Sequence, residues 1–297
     1  MALWIWVSLA AAAVQTLRFM LQKRLKGLGL STGGATFSRF VFAAPMAAAA
    51  AAGLMAVQGV ALPDLPARFF VFGMLGGLAQ IVATFCTVML FSLRSFAVGI
   101  AFTKSELVQV AIFSALLLGE PVSLPGWVAI LIGVAGVVTL SPPPKGAVGG
   151  AFGKAIGLGL LAGGLFGLSS IGYRGATQAL ALDSTFLRAV VALAFVINFQ
   201  TLTMAVWLVW REPGEITRVM RAWRATLPVG ITGVLGSLGW FTALALQNAA
   251  YVRAVGQVEL LFSLLASALV FREKISGREV VGMVLLAVSI LLIVLVV

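Results

Sequence analysis

Apolar residues in this chain come in long runs set apart by short polar clusters, without the strict alternation of a half-buried strand. A helix needs about 20 apolar residues to cross the hydrocarbon core of a bilayer. By that measure ten candidate spans follow one another: 3–21, 35–57, 68–92, 96–118, 122–140, 154–176, 184–210, 226–247, 250–271 and 275–297. Breakers separate most of them, namely Pro63, Asp64 and Pro66, then Pro142-Pro143-Pro144, then Arg211-Glu212-Pro213-Gly214. The joins at 93–96 and 248–250 are tight and fix their boundaries least. The pattern predicts an all-α membrane protein.

Composition narrows this further. Of 297 residues 61% are apolar and 10% charged, well short of the polar surface a water-soluble domain carries. No polar stretch between the runs is long enough to fold alone, which argues against a membrane-anchored soluble domain. The first span starts near Leu3 with no basic segment before it, so it is not read as a signal peptide. Cys86 is the single cysteine and histidine is absent, so neither a disulfide framework nor a zinc pattern is expected, and no metal or cofactor is assigned. The net charge of +11 does not point to nucleic acid, because most basic residues sit in short connections. In the ten-span arrangement those from Lys23 and Arg24 to Arg211, Arg218, Arg221, Arg224 and Arg278 share one side, while Arg68 and Arg174, with Arg253 near them, fall on the other. The positive-inside rule makes the first side cytoplasmic and leaves both termini outside.

The two halves of the chain resemble each other. Shifted by 153 residues, 76–140 lies over 229–293 without a gap, bringing Glu106 onto Glu259, Glu120 onto Glu273 and Ser123 onto Ser276. Thr36-Phe37-Ser38-Arg39 matches Thr185-Phe186-Leu187-Arg188 at a shift of 149. Residues 1–140 and 154–297 then form two five-helix repeats joined by a linker at 141–153. An odd number of spans inverts the second repeat relative to the first. Inverted repeats let two pseudo-equivalent halves exchange conformations around a midplane site, as in many secondary transporters.

This organisation resembles the drug/metabolite transporter superfamily, and within it the EamA-type metabolite exporters, including bacterial amino-acid exporters of the YddG kind. The residues that carry the resemblance are Leu116-Leu117-Leu118-Gly119-Glu120-Pro121-Val122-Ser123 and Leu269-Val270-Phe271-Arg272-Glu273-Lys274-Ile275-Ser276, each a leucine-rich segment ending in an acidic turn. It implies export of small metabolites, most of all amino acids, from a bacterial inner membrane, and a chain sufficient as a monomer. Relatives often have proline after the acidic residue of helices four and nine, where this chain has Leu107 and Leu260, and glycine where it has Arg272. The family is also described with cytoplasmic termini, against the charge distribution.

Charges inside hydrocarbon cost a few kcal/mol, so they face the bundle interior or water. Lys104, Glu106 and Glu259 are the deepest, with Arg18, Arg39 and Arg188 nearer the span ends. Lys104 and Glu106 are two apart and point to different faces, so each needs a partner on another helix or water. The glutamates either lock the halves together through basic partners or meet a substrate ammonium or a proton. Arg39 and Arg188 either snorkel to the interface or pair with a loop. Gln15, Gln80, Thr84, Thr103, Tyr173, Ser237, Trp240 and Gln257, together with Lys104, are the candidates for contact with a small-molecule substrate. The same residue types also serve as hydrogen-bond donors and acceptors between helices. Glycines at 230, 233, 236 and 239, and at 159, 163 and 167, suit close helix packing or sliding. An intramembrane enzyme acting on lipid, the alternative of another class, would need a nucleophile, acid/base set or metal cluster that the chain does not display. A proton-coupled multidrug or other metabolite antiporter is the alternative within transport.

Overall fold

The computed structural model describes residues 2–25, 28–90, 103–140, 150–262 and 276–296, and the regular structure among them is helical. Among the described residues, seven segments are long and apolar enough to span a membrane: Leu3–Gln22, Thr32–Gln58, Ala67–Thr87, Lys154–Gln178, Thr185–Arg211, Trp223–Leu246 and Gly277–Leu295. They fall on the first, second, third, sixth, seventh, eighth and tenth of the expected spans. The fourth and fifth coincide with two shorter apolar helices, Glu106–Leu118 and Leu124–Leu140. The ninth opens with the helix Ala249–Gly256, and its end lies outside the described residues. So do Lys26, Arg94, Lys145, Arg272, Glu273 and Lys274, and with them most of the second acidic turn.

In chain order the helices are α1 (Leu3–Leu25), α2 (Thr32–Val41), α3 (Ala43–Gln58), α4 (Ala67–Leu90), α5 (Glu106–Leu118) and α6 (Leu124–Leu140). They continue as α7 (Gly150–Gln178), α8 (Thr185–Arg211), α9 (Glu215–Arg221), α10 (Trp223–Leu246), α11 (Ala249–Gly256) and α12 (Gly277–Val296). The second span is broken between α2 and α3 at Phe42. Pro45 has no N–H to give the carbonyl four residues back, so the ladder cannot run through that point.

Helix α8 shows how these sequences choose a face. Leu202, Val206 and Val209 lie on one side and are 66%, 63% and 67% exposed, whereas Leu193, Val196, Ile197, Met204 and Leu208 on the other are buried. An apolar surface of that size suits lipid, not water.

The closest helix packing depends on glycine. Helix α4 runs along α7, and a Cβ built on Gly172 would stand 2.5 Å from the Gly76 Cα. Helix α10 lies on α1 with Gly239 tight against Ala11, while Gly236 beside Val14 leaves room for a methyl group. At Gly172 and Gly239 the helices approach so closely that a side chain would hold them apart.

Two polar clusters mark opposite ends of the bundle. At one end the α5–α6 connection meets the ends of α7 and α10. Here Arg174 holds Glu120 through Nε (2.6 Å) and Nη2 (2.7 Å) and donates to the carbonyls of Leu244 and Gln247. At the other end Ser31 donates through its hydroxyl to Glu212 and through its N–H to Glu215 (2.6 Å). Among the described residues, Arg211, Arg218, Arg221 and Arg224 gather at the Ser31 end, and Arg174 at the opposite one.

Candidate functional site

Between these ends the helices enclose a cavity of about 380 Å³. It is built where two helices are interrupted. At the start of α5, the N–H groups of Leu107 and Val108 reach back only three residues, to Lys104 and Ser105. After α11, Gln257 bonds Ala254 and Leu260 bonds Gln257 with the same spacing. These tight turns place Lys104 and Glu106 on one side of the cavity and Arg253 and Glu259 on the other.

Charges deep in the bundle are then paired across it. Arg253 holds Glu106 with two bonds, Nε to Oε1 at 2.5 Å and Nη2 to Oε2 at 2.9 Å. Lys104 donates to Glu259 Oε1 at 2.6 Å. The Gln15 amide donates to the other oxygen of Glu259 (2.8 Å) and accepts from Trp240 Nε1 (3.0 Å). The Trp240 ring lies under the Arg253 guanidinium, 5.1 Å from ring centre to Cζ. One continuous network therefore ties α1, α5, α10 and α11 together. Both glutamates are engaged by basic residues far away in sequence and both also line the cavity.

Arg253, which the charge distribution groups with Arg68 and Arg174, lies one turn into α11 behind the Asn248 cap and is there paired with Glu106.

The remaining candidates divide by position. Gln15, Gln80, Thr103, Lys104, Tyr173, Ser237 and Trp240 share the cavity wall. Arg39, weighed as a snorkelling residue, is 7% exposed and also on that wall, as is Arg18. Thr84, Gln257 and Arg188 are off it. Thr84 bonds the Gln80 carbonyl within α4, Gln257 donates to the Arg253 carbonyl, and Arg188 donates to Thr185 at the start of α8. Thr16, Thr87, Phe166, Ser170 and Phe241 line the cavity without having been singled out, since nothing in an apolar run marks which small polar or aromatic residue faces inward.

Towards the Glu120 end, Tyr173 stacks on Phe241 at 4.2 Å between ring centres. Gln200 donates to the Tyr173 hydroxyl at 3.2 Å and fixes the ring. The Arg174–Glu120 pair follows next along α7. Gly119 adopts φ 68°, which ends α5 and turns Glu120 towards α7. Burial pushes the Glu120 carboxyl up, but hydrogen bonds from Arg174 and Gln178 and the Arg174 charge outweigh it and hold it below its usual value.

Comparison with known proteins agrees with this architecture. Residues 153–295 match the EamA-like transporter family. No curated protein matches the chain. A crystal structure of another protein superposes with a TM-score of 0.72 over 99% of this chain and 96% of the other, at 16% identity. That likeness is one of fold. The second half of the chain is thus similar to EamA-like transporter domains, and the described helices include seven long and apolar enough to cross a membrane.

Proposed function

We propose that this protein is a secondary transporter that exports small metabolites, with amino acids as the leading class, by alternating access around the central cavity. The observation that carries the reading is the crossed pairing of the two buried glutamates. Each is bound by a base from the other half of the chain, Glu106 by Arg253 and Glu259 by Lys104. Under the 153-residue shift the two glutamates are equivalent, and so are Lys104 and Gln257, where the two interrupted helices bend. The helix packing follows the same exchange. Swapping each span for its counterpart turns the α1–α10 contact into α7–α4 and returns α3–α8 and α6–α12 to themselves.

Such a molecule has a physical route to two states. The tier above the cavity, Tyr173–Phe241 and Arg174–Glu120, closes one end. The ion pairs at the interrupted helices are the joints about which the repeats rock. Broken helices at a midplane cavity are the places where transporters bind and bend.

The test is counterflow of labelled amino acids by the purified protein in liposomes, with and without a pH gradient. Exchange-stimulated, saturable flux without a gradient is expected for a facilitator. Flux that appears only with a gradient, and that Glu106→Gln or Glu259→Gln abolishes in folded protein, would instead establish proton coupling. Absence of amino-acid flux under both conditions would overturn the amino-acid assignment.

A further inference from the structure

Four basic side chains, Arg18, Arg39, Lys104 and Arg253, line the cavity, against the two carboxylates of Glu106 and Glu259. Both carboxylates are already held by Lys104 and Arg253. Arg18 lies against the Gln15 amide oxygen at 3.4 Å. Arg39 differs from the others. Among the described residues no carboxylate lies within 4.0 Å of it, and its guanidinium sits only over the ring of its neighbour Phe40, at 5.2 Å to the centroid.

A buried guanidinium without a counter-charge is costly unless something supplies one. The Arg39 backbone carbonyl and Cγ lie close against Gly233 of α10, so the start of this side chain is packed inside the bundle. The rest of the wall is suited to an apolar body, with Phe166, Tyr173 and Phe241 facing the space.

We infer that the cavity selects organic anions, with a carboxylate or a phosphate of the solute supplying the counter-charge to Arg39 and its apolar body lying along the aromatic wall. This rests on the cavity being the substrate site of a transporter, and it competes with the amino-acid class proposed above by assigning organic anions in place of zwitterions. A cationic solute meets an excess of positive charge there, and a zwitterion finds no carboxylate left for its ammonium. Arg39 is thus the specificity-determining residue, and its planar fork suits either anionic group.

The experiment uses the purified full chain in detergent micelles and ligand-induced shifts of its melting temperature. The probes share one ring: 3-phenylpropanoate, its neutral amide, 3-phenylpropylamine, zwitterionic phenylalanine and phenyl phosphate. Saturable stabilisation by the anions and by none of the others is expected, and the stronger of 3-phenylpropanoate and phenyl phosphate identifies the group preferred. Arg39→Gln should weaken anion binding at least ten-fold, and Arg39→Lys should weaken it less. Arg188→Gln, off the cavity wall, should leave it unchanged. Stabilisation by the amine or zwitterion equal to that by the anions overturns the inference, and so does absence of any anion effect. Undiminished binding in Arg39→Gln, or in Arg39→Lys should the glutamine variant not fold, removes Arg39 from the role. Counterflow of phenylalanine without anion stabilisation would sink the anion inference while leaving transport standing. Anion stabilisation without flux of either phenylalanine or the anions would do the reverse.

Discussion

At the scale of single residues, stability and chemistry are separable in this molecule. Glu120 lies outside the spans and joins three chain segments, its carboxylate accepting from Arg174 and Gln178 and its backbone carbonyl from the Asn248 side-chain amide. Because its carboxyl is held below its usual value in the folded state, it contributes stability that is complete above the unfolded value and is lost as pH falls through the folded one. Glu120→Ala should cost about 1.5–3 kcal/mol at neutral pH, the range for hydrogen bonds to charged groups. Melting in micelles across pH checks this. The gap between wild type and variant should close on acidification, and a gap that stays constant would show that the ionised carboxylate is not what stabilises this end.

At the scale of elements, the α4–α7 contact is set by two glycines. Gly172→Leu has no room beside the Gly76 backbone, and neither backbone can yield locally. Overpacking commonly costs about 1–3 kcal/mol, and this substitution belongs at the upper end or beyond it. Gly157 lies on the same helix with nothing within 4 Å of where a Cβ would be, so Gly157→Ala should be neutral or slightly stabilising. Thermal unfolding of the two variants in parallel would decide it, and equal behaviour would mean that the close approach does not hold the helices. The spacing of glycines announced close packing in the sequence. Which of them meets backbone and which meets open space was not legible, because a three- or four-residue repeat describes a face without naming its neighbour.

At the scale of the whole molecule, the positive-inside rule predicts that the Ser31 end faces the cytoplasm. Against a Cys86→Ser background, an impermeant thiol reagent on intact cells should label Gln58→Cys, in the opposite connection, and spare Arg211→Cys. The reverse pattern would put both termini inside, as the family resemblance implies. Much of the architecture was legible beforehand because lipid imposes a simple rule. Every backbone polar group must be satisfied within its own helix, so long apolar runs admit one structure. The internal shift that superposes Glu106 on Glu259 is a matter of sequence as well.

Side-chain partners obey no such local rule. Lys104 and Glu106 lie two residues apart, and the chain says only that they do not pair with each other. That Lys104 meets Glu259, 155 residues away, and Glu106 meets Arg253, 147 away, depends on how interrupted helices from distant segments face one another. The position of Arg39 was decided in the same way. Near the end of an apolar run a snorkelling arginine and a buried one read alike, and only the packing of α2 against Gly233 turns it onto the cavity wall. The sequence by itself determined the solvent, the helices and their approximate number, since these follow from local hydropathy and length. Tertiary structure decided which charges neutralise each other and that Arg39 faces the cavity with no carboxylate within 4.0 Å among the described residues, because electrostatic pairing in a low dielectric is settled by distances of a few ångströms between elements that the chain order keeps far apart.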